Sequence, residues 1–307
     1  MSVRERRTFP LVPRRRLTGL PFGDLPSRRR GHGSEILGSR PYEPGDPVST
    51  IDWFATARFS AASGGDEFVV RDRAADEAPR VAIVVDRRPA MGLYPEPLPW
   101  LRKRDALREA VLSIVASATA ARADVAALDF AGGGAWWLPP GRRDRPWQVA
   151  ERESDATPFD APEDTLERSL EFLGLHRADL PGGSFVFVLS DFLAPPPPEV
   201  WLAAAGHGWD VVPCVIQDPV WESSFPRVGG VAVPVADPRT GRVALVRVSR
   251  REAARRRDEN ERRHAGLLGE LESLGLRTVA IGTSDPLAVD LAFIDWADER
   301  RRSRWAR

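Results

Sequence analysis

Two short apolar runs that each end in an aspartate place the strongest constraint on how this chain folds. Val81–Val85 runs into Asp86, and Phe185–Ser190 runs into Asp191. Uninterrupted apolar runs of this length are typical of strands that are buried on both faces of a sheet. Segments with helical spacing, such as Leu101–Ala121, lie between such runs. The alternation predicts right-handed βαβ units and an α/β fold with a mostly parallel central sheet.

The composition also changes along the chain and divides it into segments. We predict an Arg/Pro-rich tail or surface strap at 1–30, a small β-rich N-terminal module at 31–78, the α/β domain at 79–300 and a basic tail at 301–307. Apolar residues alternate on both sides of Asp237–Gly241, which has the composition of a turn. This pattern predicts a β-hairpin inserted into the α/β domain at about 228–249.

The overall composition favours a soluble protein with no strongly charged partner. Lys and Arg total 44 residues and Asp and Glu total 44, so no net charge indicates a nucleic acid or a membrane surface. The single cysteine, Cys214, cannot form an internal disulfide. No apolar stretch follows the Arg-rich start as in a signal peptide, and no apolar run reaches the roughly 20 residues of a membrane span. We therefore expect a cytoplasmic protein.

The two strand-terminal aspartates are candidates for one shared site. In a doubly wound sheet of strand order 3-2-1-4-5-6, their strands are neighbours where the strand order reverses, and ligands bind beyond the carboxyl ends there. Carboxylates in one crevice require compensation by a hard cation such as Mg²⁺ or by an arginine. Alternatively, Asp86 and Asp191 only cap the helices that follow them. Spacing alone does not decide between these interpretations.

A long block of residues resembles the signature of a known bacterial family. The block comprises Arg40–Asp46, Ile51–Trp53 and Ala55–Arg58, and it continues into Glu67-Phe68, the strand that ends in Asp86 and Leu189–Phe192. It resembles the von Willebrand factor A-like proteins called the domain of unknown function 58 family, over roughly residues 31–282. The resemblance implies a Rossmann-like von Willebrand factor A domain. It also implies a non-enzymatic adaptor or assembly factor that acts with a MoxR-type AAA+ ATPase and a client protein.

The resemblance further implies a metal-ion-dependent adhesion site, from which this sequence departs. Such sites use a D-x-S-x-S motif after the first strand, a threonine from a later loop and an aspartate after the fourth strand. The candidate ligands in this sequence are Asp86, Asp191 and, for the loop position, either Asp164 or Thr165. Arg88 and Ala90 stand where the two serines belong, so the site is degenerate.

The loss of the two serines has a physical consequence. It removes two of about six oxygen ligands, and water replaces them only in part. It also places Arg87 and Arg88 beside the crevice. A guanidinium can form ion pairs with both aspartates in place of the cation. We therefore predict weak or absent Mg²⁺ binding, no other cofactor, and an arginine that holds the crevice shut.

The block at residues 40–58 has a structural and a functional interpretation. Its proline, glycine and aspartate can simply form a turn, and Trp53 can simply pack between modules. In the functional interpretation, the block forms a face that binds a partner protein. The candidate residues on that face are Arg40, Tyr42, Asp46, Asp52, Trp53 and Arg58.

Two other classes of function stay open on the sequence. A metal-dependent hydrolase would use Asp86 and Asp191 as a carboxylate pair, but catalysis needs an open, hydrated metal position, and Arg88 argues against one. A nucleic-acid binder is suggested by arginine runs such as Arg255–Arg257, but acidic residues interleave with the later runs. We expect a chain that is not an enzyme and does not bind nucleic acid.

Overall fold

The apolar runs that end in aspartate form the centre of a six-stranded sheet. A computed structural model describes residues 6–13, 25–30, 36–42, 48, 51–63, 68–77, 79–92, 101–154, 156–237 and 242–305. Its strands are β1 (Leu25–Arg30), β2 (Ile36–Pro41), β3 (Val69–Glu77), β4 (Arg80–Val85), β5 (Asp124–Asp129), β6 (Trp136–Gly141), β7 (Phe185–Ser190), β8 (Asp210–Ile216), β9 (Val231–Ala236), β10 (Val243–Val248) and β11 (Val279–Ile281). Its helices are α1 (Trp53–Ser63), α2 (Pro89–Gly92), α3 (Lys103–Ala120), α4 (Arg145–Arg152), α5 (Thr165–Leu175), α6 (Pro198–Gly206), α7 (Arg250–Ser273) and α8 (Pro286–Trp305).

The central sheet has the strand order β11-β8-β7-β4-β5-β6. Every neighbouring pair is parallel except β5 and β6, which are antiparallel. The prediction of an α/β protein with a mostly parallel central sheet is therefore confirmed. Alternate residues of β4 point into two separate cores: Ile83 packs with α3 and α8 on one face, and Val84 packs with α5, α6 and α7 on the other. This double burial explains why the run contains no polar residue.

The chain divides into two compact units by its internal contacts. The smaller unit spans Arg15–Pro79, and the larger combines Met1–Arg14 with Arg80–Arg307. In the smaller unit, β3 lies between β1 and β2 and is antiparallel to both. This division differs from the predicted segments, because β1 lies in the predicted tail and pairs with β3. It also adds a helix, α1, that the sequence pattern did not indicate.

Residues 6–13 form part of the core of the larger unit, which the prediction of a surface strap did not anticipate. Phe9 is 2% exposed, stacks on Phe293 at 4.9 Å between ring centroids, and meets Trp296 edge-on. Its backbone N–H donates to the Ser117 hydroxyl at 3.0 Å. Arg6 anchors the segment through a buried ion pair with Glu109. A short Arg/Pro-rich segment is therefore held by one large aromatic ring and one buried charge.

Two further regions of the larger unit differ from the sequence prediction. Helix α8 extends to Trp305 and so includes most of the predicted basic tail at 301–307. Strands β9 and β10 form an antiparallel two-stranded sheet where the inserted hairpin was expected, with residues 238–241 outside the described part of the chain. None of the described helices combines the length and the apolar character needed to cross a membrane.

The burial of Phe9 generates a stability prediction. We expect Phe9→Ala to lower the free energy of unfolding by about 3–5 kcal/mol, since it removes a buried ring and leaves a cavity. Thr8→Ala is the matched control, because Thr8 is exposed, and we expect it to change the free energy by less than about 0.5 kcal/mol. Chemical denaturation of both variants measures the difference. Equal stabilities would show that residues 6–13 are not part of the core.

Candidate functional site

The two strand-terminal aspartates lie side by side at the carboxyl ends of β4 and β7. These strands are adjacent and parallel, with Val85 opposite Leu189, and the N–H of Asp86 donates to the Leu189 carbonyl at 3.0 Å. Asp86 is completely buried and Asp191 is 1% exposed. Strand order and pairing therefore place two buried carboxylates at the point where the direction of strand addition reverses. We call this place the crevice and define it by Asp86 and Asp191.

Arg88 lies in the crevice and contacts both aspartates. Its Nε lies 3.1 Å and 3.0 Å from the two carboxylate oxygens of Asp86, and its Nη2 donates to Asp86 Oδ2 at 2.6 Å. The same Nη2 lies 3.8 Å from Asp191 Oδ1. Burial lowers the pKa of Arg88, but the hydrogen bond and charge of Asp86 outweigh burial and raise it overall. The guanidinium therefore stays charged and occupies the space between the carboxylates.

A second cation, Lys103, enters the crevice from the first turn of α3. Its Nζ donates to Asp191 Oδ2 at 2.8 Å and forms an ion pair with Glu222. Burial lowers the pKa of Lys103, but the charges of Asp191 and Glu222 outweigh burial and raise it. Burial raises the pKa of Glu222, while Lys103 opposes that effect. The crevice therefore holds a buried chain of alternating charges.

The remaining hydrogen bonds fix the two carboxylates in place. The hydroxyl of Ser190 donates to Asp86 Oδ2 at 2.6 Å, and the N–H of Leu193 donates to Asp191 Oδ1 at 3.0 Å. Phe192 has a φ of 48°, in the left-handed region that a bulky side chain rarely adopts. Such strain persists only where the surroundings over-determine it. All four carboxylate oxygens of the pair thus accept hydrogen bonds from the protein itself.

Arg87 was predicted to lie beside the crevice, and the structure corrects this. Its Nη2 donates to Glu153 at 2.5 Å, and its Nε lies 3.6 Å from Asp129. Burial raises the pKa of Glu153, although the charge of Arg87 opposes it. Phe159 lies against the guanidinium with its ring centroid 5.2 Å away. Arg87 and Arg88 pair with different acidic residues, so of these two arginines only Arg88 compensates the crevice carboxylates.

The two candidates for the loop ligand have different environments. Asp164 has a side chain that is 45% exposed and pairs with Arg168 at 2.8 Å, one turn along α5. Thr165 is buried, and its hydroxyl has no hydrogen-bond partner within the described part of the chain. Glu163 instead acts on the crevice, since its charge raises the pKa of Arg88. The structure thus brings Asp86, Asp191 and Arg88 together and directs Asp164 toward solvent.

The side chains around the crevice do not fit a metal-ion-dependent adhesion site. Arg88 and Ala90 replace the two hydroxyl ligands, and the Arg88 guanidinium bonds the carboxylate that would bind the cation. Lys103 neutralises the second carboxylate. Among the described residues, no group of three His, Cys, Asp or Glu side chains is arranged to hold a metal ion. The unpaired Thr165 hydroxyl is one oxygen of the about six that Mg²⁺ requires.

Sequence analysis missed Lys103 and Glu222, although one signal was available. Lys103 is the only lysine in the chain, and apart from the histidines every other basic residue is an arginine. A lysine has a compact ammonium that suits a narrow, buried position better than a planar guanidinium. Glu222 gave no comparable signal, because it lies in a loop after β8 and resembles any exposed acidic residue in the sequence.

The six partner-binding candidates belong to the smaller unit. Arg40 lies in β2 opposite Val70, the Tyr42 N–H donates to the Phe68 carbonyl at 2.7 Å, and Asp46 is outside the described residues. Asp52 caps α1, since its Oδ1 accepts from the N–H of Ala55 at 3.0 Å. Capping α1 is a structural role for Asp52, which agrees with the structural interpretation of the block at residues 40–58.

The first turn of α1 presents aromatic side chains to solvent. Trp53 is 61% exposed and Phe54 80% exposed. Trp53 meets the Phe68 ring edge-on at 5.9 Å between centroids. Arg58, on the next turn, is also exposed, and its Nε donates to the Phe54 carbonyl at 3.4 Å. Large exposed aromatic residues are enriched at protein interfaces, so α1 carries the part of the block best suited to contact a partner.

The fold and the crevice define a class: a doubly wound α/β protein whose carboxylate pair is neutralised by its own cations. The chain belongs to the family described as "protein of unknown function DUF58", whose model matches residues 38–266. It is 29% identical over 232 residues to uncharacterised proteins of Mycobacterium tuberculosis (strain H37Rv) and Mycobacterium bovis, which covers 75% of this chain and 69% of each relative.

Two solved structures are similar to this chain over almost three quarters of its length. One is the conserved hypothetical protein BatB from Bacteroides thetaiotaomicron, with a TM-score of 0.44 and 17% identity over 73% of this chain and 100% of that one. Another is an aerotolerance-related membrane protein from Bacteroides fragilis, with a TM-score of 0.45 and 14% identity over 72% of this chain and 100% of that one. At these values the likenesses carry no inference about function.

The contacts of Lys103 generate a prediction about the crevice. We expect Lys103→Met to lower the free energy of unfolding by about 3–5 kcal/mol, because it leaves Asp191 and Glu222 buried without their counter-ion. Arg108→Met on the same helix is the matched control, since the Arg108 side chain is 46% exposed and its partner Glu109 keeps its ion pair with Arg6. We expect it to cost less than about 1 kcal/mol. Denaturant unfolding compares the two, and equal losses would contradict the role given to Lys103.

Proposed function

We propose that this chain is a von Willebrand factor A-like adaptor or assembly factor that is not an enzyme and acts with a MoxR-type AAA+ ATPase and a client protein. The observation that carries the proposal is the self-neutralised crevice, in which Arg88 and Lys103 bond the two carboxylates. A hydrolase that used Asp86 and Asp191 would need an open position for a hydrated metal. The cations of the protein bond both carboxylates, and this supports a binding role over metal-dependent hydrolysis.

Three further features support the proposal. Membership of the DUF58 family is consistent with it. Asp86 follows β4, the first strand of the six-stranded sheet along the chain, and lies where the strand order reverses, as in von Willebrand factor A domains. The exposed aromatic residues of α1 offer a surface for a protein partner. The arginine run on α7 suits a solvated surface better than nucleic acid, since Arg255 and Arg256 both pair with Glu252. A cytoplasmic location belongs to the same proposal.

The state of the crevice can be tested by calorimetry with Mg²⁺ and Mn²⁺. We expect no tight binding to the native chain, and at least about tenfold tighter binding to the Arg88→Ser/Ala90→Ser double variant, because this variant restores the two hydroxyl ligands and frees Asp86. Tight binding by the native chain that is lost in Asp191→Ala would contradict the proposal. That result would favour the metal-dependent hydrolase as the alternative function.

The partner can be tested by tagged pull-down from the native host with mass spectrometry, with and without ATP. We expect a MoxR-type AAA+ ATPase to co-purify with the native chain. Phe54→Ala should reduce its recovery at least about tenfold, as for an interface hot spot. Leu175→Ala is the matched control, because Leu175 is equally exposed, at 84%, on α5 of the larger unit.

Two results of the pull-down would count against the proposal. Absence of the ATPase even after crosslinking would contradict the partnership. Equal recovery with Phe54→Ala and Leu175→Ala would leave the ATPase as a partner but would remove α1 from the interface.

A further inference from the structure

Within the described part of the chain, strand β10 of the β9–β10 hairpin has one edge that pairs with no other strand. The N–H of Asp237 donates to the Arg242 carbonyl at 2.9 Å, so these two opposite residues form a hydrogen-bonded pair. Along an antiparallel ladder, hydrogen-bonded pairs alternate with pairs whose backbone groups point outward. It follows that the backbone groups of Val243, Leu245 and Arg247 point away from β9. Their amides have no hydrogen-bond partner in the part of the chain that the structure describes. A row of unpaired groups of this kind is a template for strand pairing.

The opposite edge of the same hairpin is blocked. Pro234 lies opposite Leu245 in the register, so its ring nitrogen occupies an outward-facing position on β9. A proline has no N–H and cannot donate to an added strand, and natural proteins use it to protect sheet edges. The hairpin therefore accepts a strand on the β10 side and resists one on the β9 side.

The side chains around the open edge combine exposed apolar residues with free positive charge. Val243 is 67% exposed and Leu245 75% exposed, on the face opposite the small core of Phe225 and Val248. Four exposed arginines in and next to the hairpin have no ion pair among the described residues: Arg227, Arg247, Arg250 and Arg251. The side chain of Arg250 lies directly over Gly229, at the base of the hairpin.

We propose that β10 binds an extended acidic segment of a partner protein by strand addition. The backbone of the segment pairs with Val243, Leu245 and Arg247, which supplies the hydrogen bonds that this edge lacks. Its aliphatic side chains cover Val243 and Leu245, and its carboxylates meet Arg247 and the arginines at the base. The positive charge selects an acidic partner over a second copy of this chain, because β10 itself carries arginine and no acidic residue.

This surface rests on the proposed protein-binding function, but it can be tested separately from the ATPase. The probe is a fluorescein-labelled peptide of alternating Glu and Val residues, titrated with the purified full chain and followed by fluorescence anisotropy. We expect saturable binding that weakens as the salt concentration rises. The same peptide with Lys in place of Glu should not bind. Binding of both peptides alike, or of neither, would overturn the proposal.

Two proline variants distinguish the edges of the hairpin. Leu245→Pro removes an outward N–H from β10, and Ala232→Pro removes an outward N–H from β9, since Ala232 lies opposite Arg247 in a pair without hydrogen bonds. Neither change removes a hydrogen bond between the two strands. We expect at least about tenfold weaker peptide binding for Leu245→Pro and unchanged binding for Ala232→Pro. Equal effects of the two variants would overturn the assignment of the edge.

A charge exchange keeps the proposal falsifiable if Leu245→Pro disturbs the hairpin. Arg247→Glu alters no backbone group, and we expect it to weaken binding of the Glu peptide and to permit binding of the Lys peptide. Sedimentation of the native chain tests whether a second copy of this chain, and not an acidic partner, occupies the β10 edge, because it measures the oligomeric state. A dimer that Leu245→Pro abolishes and Ala232→Pro preserves would show that a second copy fills this edge, and would overturn the acidic partner. Failure of the peptide to bind while the ATPase still co-purifies would reject this surface alone.

Discussion

The parallel pairing of β4 with β7 is the constraint on which the rest of the larger unit depends. It buries two carboxylates at one edge of the sheet, and an uncompensated buried charge costs several kcal/mol. Two cations compensate these carboxylates. Arg88, just after β4, bonds Asp86, and Lys103, at the start of α3, bonds Asp191. Glu222 then balances the second cation. The architecture of the site thus follows from electrostatic compensation.

Much of the central sheet could be predicted from the sequence, because burial on both faces leaves an unmistakable apolar run. The assumed strand order agrees with the observed one. Arg88 could be placed near Asp86 because the two residues are only two positions apart. Lys103 could not, since its contact with Asp191 depends on how α3 packs against the sheet, which no local pattern encodes. The direction of Arg87 likewise depends on Glu153, far away in sequence.

The structure assigns different physical characters to its candidate surfaces. The crevice is buried, fully hydrogen-bonded and charge-balanced, so an incoming ligand would have to break existing contacts to enter it. Helix α1 and strand β10 have the opposite character: their aromatic, aliphatic and arginine side chains are exposed. We therefore expect a partner to bind at these exposed surfaces and not in the crevice.

The stacking of Phe9 on Phe293 joins two segments that lie far apart in the sequence. During synthesis Phe9 leaves the ribosome long before α8, the helix that completes its packing site. The smaller unit, Arg15–Pro79, is inserted between these halves of the larger unit and has its own contacts. Contacts between distant segments form slowly. The packing of Phe9 therefore completes only after α8 has been synthesised, and until then the growing chain exposes an apolar segment that chaperones and proteases can recognise.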